Sequence, residues 1–189
     1  MLELKNLPYS LSQLTEHQKR VDEIHRQMEA RTSTGAEFLG WLDAASKTSE
    51  EELQQMKTLA DKIRRKADVL VVAGIGGSYL GAHAMIEALR KEYQAQEPEI
   101  IFCGNHMSAA KLQELLEYLE DKTFYVNVIS KSGRTIETAL AFRFLRRELQ
   151  QRYGERAGAY IIATTDATSG ALRAQVEQEG YESFVVPED

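Results

Sequence analysis

The 189-residue chain has one cysteine, no surplus of positive charge and no long apolar run. A single thiol, Cys103, excludes an intrachain disulfide and fits a reducing compartment. It lies in the run Ile100-Ile101-Phe102-Cys103, where a buried small hydrophobe is the simpler reading than a reactive thiol. Lysine and arginine number 23 against 29 aspartates and glutamates, a net charge of −6. That balance offers no basic field for nucleic acid or an anionic membrane, although a local basic spot for a small anion stays open. No run approaches the ~20 apolar residues of a membrane helix. The opening Met-Leu-Glu-Leu-Lys has no secretory pattern, and internal repeats and low-complexity tracts are absent. The expectation is a cytoplasmic globular protein long enough for a sizeable core.

What is there falls into two rhythms. From Leu11 to Arg31 the chain is charged, with Leu11, Leu14, Gln18, Val21, Ile24 and Met28 at three- and four-residue steps, one helical stripe. Thr32 to Gly35 breaks it, and Phe38, Leu39, Trp41 and Leu42 form a short aromatic cluster. A second charged helix is predicted over 49–66, with Ser49 and Glu52 in a capping-box pattern. The 1–66 stretch reads as a helical segment whose two helices pack on the body formed by 67–189.

In that body five short runs are rich in β-branched or aromatic residues and have no polar face: 69–73, 100–103, 124–129, 160–163 and 183–186. Helical stretches over 79–93, 109–120, 135–153 and 170–179 separate them. Unfaced strands alternating with helices predict a five-stranded parallel sheet sandwiched between helices, an α/β fold of flavodoxin-like order. Ligands of such sheets bind beyond the carboxyl ends of the strands.

Two of those ends carry chemistry. The first reads Gly74-Ile75-Gly76-Gly77-Ser78-Tyr79-Leu80-Gly81. Its glycines admit a tight turn and close approach to main-chain amides ahead of a helix N-terminus, which suits a phosphate. A dinucleotide fingerprint fails, because Tyr79 stands where the third glycine belongs and Cys103-Gly104-Asn105 lacks the acidic residue. The second end reads Ser130-Lys131-Ser132-Gly133-Arg134-Thr135-Ile136-Glu137-Thr138. Hydroxyls and cations gathered at a helix start suit a phosphate dianion. It is not a Walker loop. Each loop alone is also explained as a turn with a capped helix. Adjacent strands would bring both to one crevice.

Residues 71–81 and 128–138 resemble the two signature stretches of the glucose-6-phosphate isomerase family. Phe38-Leu39-Gly40-Trp41-Leu42, Ala163-Thr164-Thr165-Asp166 and the 179–187 stretch are similar to its bacterial branch, in the same order. The resemblance implies a sugar-isomerase domain and interconversion of glucose 6-phosphate and fructose 6-phosphate, without metal or organic cofactor. It implies that Ser130, Lys131, Ser132 and Thr135 hold the sugar phosphate, that Gly77 and Ser78 lie on the sugar side, and that Glu137 sits at the pocket edge. Homodimers are implied for the full-length protein. Two positions depart from the family pattern: Arg134 and Ile136 stand where threonine is usual. The family's catalytic histidine, glutamate, lysine and arginine correspond to segments after Pro187, and His17, His25, His83 and His106 match none of them. The expectation is therefore a truncated portion that binds a phosphosugar without turning it over. The alternatives are a free-standing phosphosugar-binding regulatory module and, less in keeping with the loops, a nucleotide-binding protein.

Overall fold

The computed structural model describes residues 15–91, 93 and 97–187. The chain divides into two compact units, one ending at Thr48 and one running from Ser49 to Glu188.

In the first unit, α1 spans Gln18–Glu29. Gln18 Nε2 donates to Asp22 at 2.8 Å and Arg26 pairs with Glu23 at 2.6 Å, the one-turn spacing that supports a solvated helix. Leu11 and Leu14 of the predicted stripe lie outside the described residues. Val21 and Ile24 form the stripe but are exposed, and no residue of α1 is buried. Gly35, at φ 84°, redirects the chain into short helical turns over Ala36–Phe38 and Gly40–Asp43 and then α2, Ala44–Lys47. Arg31 pairs with Asp43 across this segment. The aromatic cluster is not a core: Phe38 and Trp41 are exposed.

The second unit opens with α3, Glu50–Lys66, whose N-cap Ser49 accepts from the Glu52 amide at 3.1 Å, half of the predicted capping box. The order that follows is β1 Val69–Ala73, α4 Leu80–Leu89, β2 Glu99–Cys103, α5 Ala109–Tyr118, β3 Phe124–Ser130, α6 Ile136–Tyr153, β4 Ile161–Thr165, α7 Ala171–Glu179 and β5 Glu182–Val185. All four strand pairings are parallel, in the order β2-β1-β3-β4-β5. This is the predicted sheet.

The strands read as unfaced because both faces are covered. Alternate residues belong to different cores, as the two-residue period of a strand requires. Val69, Val71, Phe124, Val126, Val128, Ile161 and Ala163 face the larger core, which takes Leu145 and Leu149 from α6 and Leu172 and Val176 from α7. Tyr125 and Ile162 face the other way, against Ile63 and Leu59 of α3. Leu145 and Leu149 are fully buried. Each contributes about 1.5–3 kcal/mol of burial free energy.

One boundary differs materially from expectation. The helix predicted over 79–93 is ten residues, Leu80–Leu89, and Arg90 is already extended. Ten helical residues rise about 15 Å, matching the depth of a five-residue strand. The chain has by then crossed the sheet and must turn toward β2. Among the described residues no helix is long and apolar enough to cross a membrane, and no group of histidine, cysteine and carboxylate side chains is placed to hold a metal.

A candidate anion-binding rim

β1 and β3 are neighbours, with Ala73 opposite Val128 in the ladder. The two donor-rich loops therefore leave the sheet side by side at its carboxyl edge. A Cβ built on buried Gly74 would stand 3.0 Å from the Ser78 Cβ and 3.5 Å from the Ile129 carbonyl oxygen. The first residue of the glycine loop thus lies in contact distance of the end of β3, and a side chain there would press on Ser78 of its own loop. Gly77 is open, with nothing within 4 Å of such a Cβ, and Ser78 is half-buried.

The glycine loop does not run straight into its helix, as the sequence suggested. It makes a tight helical turn over Gly76–Ser78, with Gly76 at φ 57°, and α4 begins at Leu80. The Ser78 amide donates to Ile75 O at 3.1 Å and the Tyr79 amide to Gly76 O at 3.2 Å, so these two donors serve the turn itself. The Tyr79 ring packs 5.5 Å from Phe102, and His83 lies 4.7 Å from the same ring. His83 is thus a member of an aromatic cluster. His106 accepts the Ser108 amide at 3.3 Å, and His25 lies 3.5 Å from Glu29 on α1.

In the second loop, Ser130 is buried at the end of β3 and its hydroxyl lies 3.2 Å from that of Thr135. The loop closes through the Gly133 amide donating to Ser130 O at 3.1 Å and the Arg134 amide donating to Ser132 Oγ at 3.2 Å. Lys131, Ser132 and Arg134 are exposed, and Glu137 stands half-buried in the first turn of α6. Ile136 is exposed.

The helix starts differ in how they are capped. α3 and α5 are capped by serine hydroxyls, Ser49 on the Glu52 amide and Ser108 on the Lys111 amide. α4 and α6, the helices that follow the two candidate loops, carry Tyr79 and Thr135 at their N-caps and, like α1, α2 and α7, make no side-chain cap bond. Thr135 has a competent hydroxyl but turns it to Ser130 instead. The first-turn amides of these helices, which have no intrahelical acceptor, remain for another partner at the positive end of the helix dipole.

A third loop, given no site role from the sequence, adjoins the second loop. It follows β4, where the Asp166 carboxylate accepts the Thr168 amide at 2.8 Å and the Ser169 amide at 2.7 Å. Those amide donors hold its carboxyl below the usual range. The Asp166 amide donates to Lys131 O at 3.2 Å, and the buried Thr165 hydroxyl donates to Ser130 O at 2.7 Å. The signal was present as Asp166-Ala167-Thr168-Ser169-Gly170, an Asx-turn composition. Its contact with the second loop follows only from the pairing of β3 with β4.

Cys103 is buried at the end of β2, and burial pushes its thiol up to about 12. It is a core residue, as expected. Its surroundings include an apolar groove of about 900 Å³ between β2, α5 and α6, with Ile101, Leu112, Leu116 and Phe144 among its walls.

Comparison with known proteins gives concordant results. The sequence model of the family described as phosphoglucose isomerase matches residues 33–180. Glucose-6-phosphate isomerase of Staphylococcus aureus (strain NCTC 8325 / PS 47) is 46% identical over 180 residues, covering 94% of this chain and 41% of that protein. A hypothetical protein from Thermus thermophilus superposes with a TM-score of 0.73 at 28% identity, over 100% of this chain and 44% of its own. A glucose-6-phosphate isomerase from Chlamydia trachomatis gives 0.60 at 26% identity, over 76% of this chain and 27% of its own. The chain thus spans about two fifths of the length of the curated relatives it matches. It belongs to the phosphoglucose isomerase family.

Proposed function

As a member of that family, we propose, this chain supplies the phosphate anchor of an enzyme that interconverts glucose 6-phosphate and fructose 6-phosphate. Ser130, Lys131, Ser132 and Thr135 hold the phosphoryl group, Gly77 and Ser78 lie on the sugar side, and Glu137 borders the pocket. The observation that carries this reading is the adjacency of the two donor-rich loops at the carboxyl ends of the paired strands β1 and β3, each leading into a helix start without a side-chain cap. Where a hydroxyl is present it is turned away from its own helix, and a lysine stands beside it. A dianion fits free amides, hydroxyls and a cation gathered at one rim.

The chemistry of the whole enzyme is an aldose–ketose isomerisation through a cis-enediol, with a carboxylate moving one proton between neighbouring carbons. The phosphate lies several bonds from those carbons. Holding it fixes where the reacting end sits, so remote binding energy becomes orientation. In this reading the proton-transferring groups are not among these 189 residues, and the chain alone binds without turnover. The same reading makes the longer enzyme a cytoplasmic homodimer that needs neither metal nor organic cofactor.

Calorimetric titration tests the anchor. Fructose 6-phosphate should bind well above fructose. Lys131→Ala should weaken the phosphorylated sugar roughly ten- to hundredfold, the equivalent of about 1.5–3 kcal/mol for a lost charged partner, and leave fructose unchanged. Equal loss for both sugars would reject the phosphate role. Robust conversion of fructose 6-phosphate by the purified chain would reject the absence of turnover.

A further inference from the structure

We propose that Gly170 and Arg173 are positioning residues that set the shape of the phosphate-binding loop from behind. This rests on the reading of Ser130–Thr135 as that loop. The Ser132 carbonyl oxygen stands 2.6 Å from where a Cβ on Gly170 would be, and Gly170 has φ +94°. The fit is reciprocal. A Cβ on Gly133, at φ +63°, would meet the Leu172 and Ala171 amide nitrogens at 3.0 and 3.2 Å. Two glycines therefore let the loop after β3 and the start of α7 touch backbone to backbone, which no side chain between them would permit.

Arg173 fixes the other side of the contact. It lies on α7, is 8% exposed, and donates through Nε to the Asp166 carbonyl at 2.8 Å and through Nη1 to Ser183 Oγ at 3.4 Å. Among the described residues it forms no ion pair, and Nη2 has no hydrogen-bond partner. Burying a guanidinium with no carboxylate beside it is costly, so its presence is poorly explained by stability alone. What it does hold is Asp166, whose amide in turn holds the Lys131 carbonyl. The chain of contacts runs from Arg173 to Asp166 to Lys131, and from Gly170 to Ser132. Both end on the residues assigned to the phosphate, and neither Gly170 nor Arg173 needs to touch it.

The test is titration of the chain with fructose 6-phosphate alongside urea unfolding, for Arg173→Met, Arg173→Lys, Gly170→Ala and Gly180→Ala. Gly180 also has positive φ (+69°) but nothing within 4 Å of its Cβ position, so its alanine reports backbone strain without displacing the loop. Displacing one of several anchoring loops by a fraction of an ångström should weaken binding about tenfold in Gly170→Ala and Arg173→Met. Arg173→Lys should recover most of that loss through a single bond to the Asp166 carbonyl. Gly180→Ala should lower the unfolding midpoint and leave affinity unchanged. Should Arg173→Met not fold, Gly170→Ala against Gly180→Ala decides. Unchanged affinity with lowered stability in Arg173→Met and Gly170→Ala would overturn the proposal, as would equal loss in both glycine variants. If Lys131→Ala itself leaves binding intact, the phosphate reading has failed. If Lys131→Ala loses binding and the positioning variants do not, only the present inference has.

Discussion

Replacing Thr165 by valine removes one hydroxyl from a fully buried site and keeps the side-chain volume nearly constant. The Thr165 hydroxyl donates to the Ser130 carbonyl at 2.7 Å, a short bond at the junction of β4 and the second loop. That carbonyl also accepts the Gly133 amide at 3.1 Å, so it keeps one partner after substitution. The full penalty for an orphaned acceptor, about 1–3 kcal/mol, therefore does not apply, and the cost should be that of one neutral bond, about 1 kcal/mol. Thr138 is the internal control. It is as deeply buried and donates to the Gly104 carbonyl, but at 3.4 Å, where such a bond is weak. Thr138→Val should cost about half as much or less. In urea, with a slope of about 2 kcal/mol per molar, Thr165→Val should lower the midpoint by about 0.5 M. On heating, its Tm should fall by roughly 2–4 °C. A neutral Thr165→Val, or a Thr138→Val of equal cost, would show that bond length in this structure does not rank these two hydroxyls.

Two further outcomes concern titration. Native Cys103 should resist alkylation at pH 8 and react only on unfolding, read by mass after a timed iodoacetamide pulse. Its folded pKa is raised to about 12, so the neutral thiol favours the fold. That contribution is fully present below the unfolded thiol value, about 8.5, and is lost as pH rises toward 12, so Cys103→Ala should flatten part of the alkaline unfolding limb. Asp166 has the opposite sign. Its folded pKa is lowered by the Thr168 and Ser169 amides, so its contribution is present above the ordinary aspartate value of about 3.9 and is lost as pH falls through the depressed folded value. Hydrogen exchange at Thr168 and Ser169 should show protection failing on acidification below that range in the wild type, and Asp166→Asn should abolish the pH dependence.

Much of the architecture was legible because it is local. Unfaced β-branched runs at regular spacing mean strands covered on both sides, and the observed cores on either face of Tyr125 and Val126 are the reason. The capping hydroxyl of Ser49 was equally readable, since a cap needs only residues three apart. Exposure of the Val21–Ile24 stripe was not, because periodicity fixes which residues share a face and leaves open what covers it. The end of α4 at Leu89 also escaped the pattern, because helix length there answers to the depth of a sheet formed by residues elsewhere in the chain.

The candidate site divides along the same line. Sequence alone determined which groups are available: glycines at 74, 76 and 77, hydroxyls at 130, 132 and 135, a lysine at 131. Those are properties of short segments, and their chemistry does not depend on where the segments lie. Only the tertiary structure decided that Ser130 lies beside Thr165, that Ser132 rests on Gly170, and that Thr135 leaves its own helix uncapped. Each of these joins residues brought together by strand order or by loop closure, and a hydrogen bond exists only once the backbone has fixed both ends within about 3 Å.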